Sequence, residues 1–334
     1  MAEALLSVRN LRVEIVTRRA TLLAVDDVSF DIAEGEVLGV VGESGAGKSI
    51  TGNAIIGLID PPLRRAGGEI AYAGKRIDNL DAETMRTLRG RHIGAVFQDP
   101  LTSLNPLLTV GRQLVQTIIT HLDLSGSEAR KRAVQLLAEV GFPAPRERLD
   151  CYPHELSGGM RQRVVLALAF CCEPNLIIAD EPTTALDVSV QAQVIELFRR
   201  MCRERGTSVM LITHDMGVIS EISDRVAVMY AGRVVEIGTA RAVLNAPAHP
   251  YTRGLMASIP TVQRTKSELP QIAGNMPRLA AVPSGCAFHP RCPCRLPRCD
   301  RERPVLAPAG ETQSVCWLTA TRDDTASIEA ARDA

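Results

Sequence analysis

Four stretches of the chain carry residue types that chemistry needs. The first, GESGAGKS at residues 42 to 49, fits G-x-x-x-x-G-K-[ST]. In such a loop Gly42, Gly45 and Gly47 let backbone N–H groups turn inward around phosphates, with Glu43, Ser44 and Ala46 completing the turn. Lys48 supplies a point charge to the outer phosphates, and the Ser49 hydroxyl can ligate magnesium. The second, LIIADE at residues 176 to 181, is an apolar run ending in two acids. Asp180 stands where a carboxylate can hold magnesium, directly or through water. One position on, Glu181 can polarise an attacking water without neutralising the metal. The third, LSGGMRQR at residues 156 to 163, sets Ser157, Gly158 and Gly159 at a helix start, where N–H groups and a hydroxyl make a second anion-binding surface.

The fourth stretch is rich in thiols. Five of the nine cysteines follow residue 285, most of them in CAFHPRCPCRLPRC at residues 286 to 299. Cys286, Cys292, Cys299 and Cys316 are separated by five, six and sixteen residues, and Cys294 intrudes between the second and third. Four converging thiolates satisfy an iron–sulfur cluster or tetrahedral zinc. The tight C-x-C of Cys292 and Cys294 is a poor zinc knuckle, and the wide spacing suits a bulkier cluster better. Free or disulfide-linked thiols are the remaining alternative. Each motif taken singly also has a plain structural role, as a glycine turn, a strand-ending acid pair, a helix cap or a set of buried thiols.

These residues need elements to hold them. Up to about residue 245, the apolar runs VLGVVG (37 to 42), NLIIADE (175 to 181) and SVMLIT (208 to 213) alternate with helix-like text. That pattern predicts an α/β fold, a parallel sheet flanked by helices. From about residue 246 the character changes: eleven of the chain's twenty prolines lie there, so a second, smaller unit over 246 to 334 without extended helices is expected. Its last 14 or so residues are polar with little to bury, and fraying is expected there.

Composition sets the outer bounds. The chain has 334 residues, with 38 Lys plus Arg against 38 Asp plus Glu, so no overall charge points to nucleic acid or anionic lipid. No apolar run approaches the ~18 residues of a membrane helix, and the start MAEALLSVRN lacks the regions of a signal peptide. A soluble cytoplasmic protein with reduced thiols is the expectation.

The order of the motifs resembles that of ATP-binding cassette (ABC) proteins. LSGGMRQR, with Leu156, Ser157, Gly158, Gly159 and Gln162 in place, looks like the family signature, which closes in trans on the γ-phosphate held by a partner subunit. Gln98, in FQDPLTSLNP (97 to 106), resembles the glutamine that senses metal and attacking water. Ala185, Leu186 and Asp187 in TTALD look like the loop that crosses the dimer interface, and His214 in LITHD resembles the switch histidine at the γ-phosphate. Together FQDPLTSLNP, HPYT (249 to 252) and the cysteine tail resemble the ATPase subunits of bacterial dipeptide and oligopeptide importers, a group that includes nickel and glutathione systems. The likeness runs from about Leu6 to Leu318.

The resemblance implies a P-loop NTPase fold of ABC type over residues 1 to 245, with antiparallel β and α-helical subdomains, the helical one at about 99 to 170. A small proline- and cysteine-rich C-terminal domain follows over 246 to 334. It implies an ATP hydrolase that powers peptide import, with Glu181, His214 and Gln98 catalytic and residues 42 to 49 binding ATP. Magnesium falls to Ser49, Gln98 and Asp180, and a structural [4Fe-4S] cluster to Cys286, Cys292, Cys299 and Cys316. The implied partners are two transmembrane permease subunits, a second, related but non-identical ATPase subunit, and an extracytoplasmic solute-binding protein; no nucleic acid is expected. The implied location is the cytoplasmic face of the membrane. In one departure, VEIVTRRATLLAVDD (13 to 27) lacks the aromatic residue that often stacks on adenine, which leaves that contact to aliphatic or arginine side chains. The competing readings are an ABC ATPase regulated by an iron–sulfur cluster, and a non-transport ABC ATPase of repair or translation. Only about 132 residues separate Lys48 from Asp180, which leaves no room for a long coiled-coil arm.

Overall fold

The computed structural model describes residues 4–183, 186–259 and 271–319. Ala185 of the expected interface loop and the polar C-terminal end lie outside them. In chain order the elements begin with β1 (Leu6–Val16), β2 (Thr21–Ile32), β3 (Val37–Val41), α1 (Lys48–Ile55), β4 (Leu63–Tyr72), β5 (Lys75–Arg76), α2 (Ala82–Leu88) and β6 (Ile93–Val96). A helical stretch follows: α3 (Pro100–Ser103), α4 (Val110–His121), α5 (Gly126–Glu139), α6 (Pro145–Arg148) and α7 (Gly158–Phe170). The chain continues through β7 (Leu176–Asp180), α8 (Val188–Arg205), β8 (Ser208–Ile212), α9 (Met216–Ile222), β9 (Arg225–Tyr230) and β10 (Arg233–Thr239). It ends with α10 (Ala240–Asn245), α11 (Pro250–Ala257), β11 (Ala307–Ala309) and β12 (Thr312–Ser314).

Two compact units form, one mainly from Ala71–Ile212 with Ile32–Val37, the other from Ser7–Asp31, Leu38–Ile70 and the chain from Thr213 onward. In the first, β6, β7 and β8 are parallel neighbours, Ile93 opposite Leu176 and Leu176 opposite Ser208. All five residues of β8 and the first four of β7 are buried, as expected of parallel strands covered on both faces. The covering helices α7 and α8 meet through Phe170 and Phe198, edge to face at 6.0 Å. Helices occupy the interval between β6 and β7, and their starts are written in the sequence. Thr109 caps α4, and Ser125 with Glu128 forms a reciprocal capping box on α5, satisfying donors that the first turn leaves open.

In the second unit β2, β1 and β4 are neighbours in one antiparallel sheet. Val28, Phe30 and Ile32 alternate inward on β2, the period-two pattern of a sheet with one covered face. The other strands of this unit are neighbours in the order β11-β12-β10-β9-β3. Here β3 and β9 are parallel (Leu38 opposite Arg225), and β9 and β10 form a hairpin whose Ala231 and Gly232 both take positive φ, the geometry of a tight primed turn. Tail strand β12 adds to β10, Glu236 opposite Ser314. Among the described residues of the tail the longest helix is α11, of eight residues, and proline spacing gives no sign of this strand pairing. Among the described residues no helix is long and apolar enough to cross a membrane.

Candidate nucleotide site

The phosphate loop leaves β3 and enters α1 through three glycines at positive φ: Gly42 at 151°, Gly45 at 82° and Gly47 at 97°. A Cβ on Gly42 would lie 2.2 Å from the Met229 carbonyl oxygen, and one on Gly47 2.9 Å from that of Ala24. Only glycine fits both the angle and the space. Gly47 is the N-cap of α1 and brings no side chain to it, so the first N–H groups of the helix stay available to an anion. The Lys48 ammonium is buried and donates to the carbonyls of Gly42 (2.8 Å) and Glu43 (3.1 Å). Ser44, Gly45 and Ser49 are exposed, whereas Ala46 is buried beneath the loop.

Glu43 is held from the tail. Its N–H donates to the Tyr251 hydroxyl at 2.9 Å, and its carboxylate accepts from Arg291 Nη1 at 3.0 and 3.1 Å. Neither Tyr251 nor Arg291 was foreseen as a site residue, although HPYT and CAFHPRC had been noted. Spacing cannot show that a residue more than 200 positions away reaches the loop.

In the first unit, Asp180 ends β7 and Glu181 follows at φ 47°. The Glu181 N–H donates to the Ile212 carbonyl at 2.8 Å, and its Oε2 accepts from Gln98 Nε2 at 2.8 Å. The fold thus joins two residues 83 positions apart that were singled out separately. In the signature stretch Ser157 caps α7, its hydroxyl accepting from the Met160 N–H at 3.3 Å, and is itself exposed. Gly159 has Val190 so near that a Cβ would lie 2.5 Å from it. Gln162, expected to act in trans, is buried and donates its amide to the Pro182 carbonyl of its own chain. It therefore braces the segment just after Glu181.

His214, in the second unit, is exposed between two anchored neighbours. The Thr213 N–H donates to the Val40 carbonyl at 3.3 Å, and Asp215 caps α9 through the N–H groups of Gly217 and Val218.

The [4Fe-4S] cluster expected on Cys286, Cys292, Cys299 and Cys316 is overturned. Among the described residues no group of three or more His, Cys, Asp or Glu side chains could hold a metal ion. The thiols are free and line a cavity of about 10 Å³, roughly the room of one water. Burial pushes the Cys286 thiol up to about 11 and raises Cys292 and Cys316, favouring neutral thiols over the thiolates that metals take. His289 serves the turn, its Nδ1 3.0 Å from the Cys286 carbonyl oxygen, and Cys294 is exposed.

The tail has a core of its own. Phe288 is buried and meets Tyr230 (5.3 Å), Tyr251 (5.4 Å) and His249 (5.9 Å) ring to ring. The Arg298 guanidinium lies 3.6 Å over the Trp317 ring. Glu236 of β10, fully buried, accepts from the N–H groups of Ala248 (2.7 Å) and His249 (2.9 Å) and from the Thr312 hydroxyl (3.1 Å). Aromatic packing, strand addition and a satisfied buried carboxylate hold the tail. Of the cysteines before the tail, Cys171, Cys172 and Cys202 are buried as small apolar side chains, whereas Cys151 is only partly buried.

Comparison with known proteins fits this arrangement. Residues 25–184 match the family model described as ABC transporter, and residues 235–299 match that of the oligopeptide/dipeptide transporter C-terminal region. The dipeptide transport ATP-binding protein DppD of Bacillus subtilis is 48% identical over 318 residues, 95% of each chain. The oligopeptide transport ATP-binding protein OppD of Salmonella typhimurium is 46% identical over 306 residues, 92% of this chain and 91% of that one. Among solved structures, the ATP-binding cassette MJ0796, dimeric and bound to ADP and Pi, superposes with a TM-score of 0.64 at 30% identity. It covers 71% of this chain and 99% of its own. The chain belongs to the ABC transporter ATP-binding subunits, and it hydrolyses ATP. Within that class it is a homologue of the dipeptide and oligopeptide importer ATPases.

Proposed function

We propose that this chain powers the import of di- and oligopeptides through a membrane, closing with a second ATPase subunit on ATP and reopening after hydrolysis. The likeness over nearly full length to proteins named for dipeptide and oligopeptide transport supports the substrate class. The observation that carries the chemistry is the 2.8 Å hydrogen bond between Gln98 and Glu181, directly after Asp180. A carboxylate oriented by an amide and following a strand-ending aspartate is the arrangement that activates water for phosphoryl transfer.

Residues 42 to 49 hold the ATP phosphates in this reading, with Lys48 offsetting their charge. The Ser49 hydroxyl, the Gln98 amide oxygen and the Asp180 carboxylate are hard oxygen donors of the kind magnesium prefers. Magnesium, when bound, would neutralise charge on the phosphates. Glu181 takes the proton of the attacking water, and His214 contacts the γ-phosphate. Ser157, Gly158 and Gly159 present an exposed helix start to the nucleotide of a partner subunit, while Gln162 steadies the loop after Glu181. The partner is a related ATPase, and two permeases and an extracytoplasmic binding protein complete the complex, with this chain on the cytoplasmic face. The C-terminal extension from residue 246 belongs to the second unit, its strand β12 added to β10.

Glu181→Gln tests the reading. The variant is expected to bind ATP as tightly as the parent while kcat falls by about 10² to 10⁴. Turnover at the parent rate would remove Glu181 from the chemistry.

A further inference from the structure

Glu43 is an anion inside a loop read as binding anions. Left alone, its carboxylate would repel the phosphates that Lys48 attracts. The structure answers that repulsion from the tail. Arg291, only 8% exposed at its side chain, places Nη1 between both carboxylate oxygens of Glu43. Its remaining donors are also committed, Nε to the Ala273 carbonyl (2.8 Å) and Nη2 to those of Gly274 (3.3 Å) and Ile272 (3.4 Å). The guanidinium lies over the Tyr230 ring at 5.8 Å and the Phe288 ring at 6.0 Å. Such a guanidinium is fixed on several sides and has little freedom to follow its partner.

Tyr251 grips the same residue by its backbone. Its hydroxyl accepts the Glu43 N–H, and its ring packs 4.7 Å from Tyr230 and 5.4 Å from Phe288. Burial raises the Tyr251 phenol well above its ordinary value, so the acceptor is a neutral hydroxyl. Backbone and carboxylate of Glu43 are therefore both pinned to one aromatic cluster. The carbonyls of Gly42 and Glu43 are in turn the acceptors that hold the Lys48 ammonium. A chain of contacts thus runs from the tail through Glu43 to the lysine of the phosphate loop.

We propose that Arg291 and Tyr251 are positioning residues for the phosphate loop, which makes the C-terminal segment a working part of the nucleotide site. They touch no phosphate themselves. Arg291 cancels the Glu43 charge, and together the two residues keep the carbonyls of Gly42 and Glu43 aimed at Lys48. The inference rests on the reading that residues 42 to 49 hold the phosphates of ATP.

The test uses the full chain with MgATP, measuring KM and kcat together with thermal unfolding. Arg291→Met is expected to raise the KM for ATP about tenfold with kcat within about twofold, because the contact serves ground state and transition state alike. Tyr251→Phe should raise KM by a smaller factor. Glu43→Gln in the Arg291→Met background should restore much of the lost affinity, since the unpaired carboxylate is the offending charge. Arg298→Ala, which loosens the tail at Trp317 away from the loop, should lower the unfolding temperature and leave KM unchanged.

Parent-like KM in both Arg291→Met and Tyr251→Phe overturns the proposal. So does an equal rise in KM in Arg298→Ala, because tail stability alone would then account for the effect. If Arg291→Met does not fold, Arg291→Lys and Tyr251→Phe carry the same comparison. A Lys48→Ala chain that binds ATP like the parent would instead refute the phosphate-loop reading.

Discussion

His249 shows how one residue can join two parts of the tail. It is buried, and its Nδ1 accepts the Tyr251 N–H at 3.0 Å, capping α11. Burial drives its imidazole down to about 3 from the usual 6.5, against a hydrogen bond to the Val315 backbone that acts the other way. A group whose folded value lies below its unfolded one binds fewer protons when folded. Stability therefore rises with pH between about 3 and 6.5, and its full contribution is present above that window. Unfolding at pH 7 and pH 5 should differ by roughly 2 kcal/mol from this group. In His249→Asn, which keeps a capping side chain but cannot titrate, that part of the difference should vanish; an unchanged pH slope would show the histidine to be charged when folded. Glu181 takes φ 47°, which is disfavoured for a residue with a side chain. Its N–H bond to Ile212 and the Gln98 amide hold it there.

At the scale of elements, the tail depends on one carboxylate. Glu236 satisfies two backbone donors at the start of α11 and the hydroxyl of Thr312 on β12. Glu236→Ala strands those donors in a buried place, at a cost of about 3 kcal/mol or more. Limited proteolysis should then cut the segment after β10 first, and Glu236→Gln, which keeps one acceptor oxygen, should be cut more slowly. Equal resistance of the alanine variant and the parent would mean that strand pairing and the Phe288 cluster suffice. The central strands were legible from sequence because burial on both faces leaves an unbroken apolar run, as in SVMLI. Strands β11 and β12 are three residues each, APA and TQS. They have no periodicity to read, and exist because β10 offers them an edge.

At the scale of the molecule, the proposed cycle needs two nucleotide-bound chains. With ATP present, Glu181→Gln should accumulate as a dimer on size-exclusion chromatography, and adding Gly158→Asp to it should return monomer. The new carboxylate would oppose the partner's phosphates at the start of α7. A double variant that still dimerises on ATP would argue against the signature surface as the trans contact.

The sequence by itself determined which residue types stand together at the loop and strand ends. Gly42 to Ser49, Asp180 with Glu181, and Ser157 with two glycines are local patterns, and backbone sterics and hydrogen-bonding capacity restrict what such patterns can do. Tertiary structure decided what those residues touch. It set Gln98 on Glu181, turned Gln162 inward onto Pro182, and brought Tyr251 and Arg291 to Glu43. It also decided the fate of the thiols. Four cysteines at suggestive intervals say nothing of the cavity they will share, and here aromatic packing leaves room for about one water.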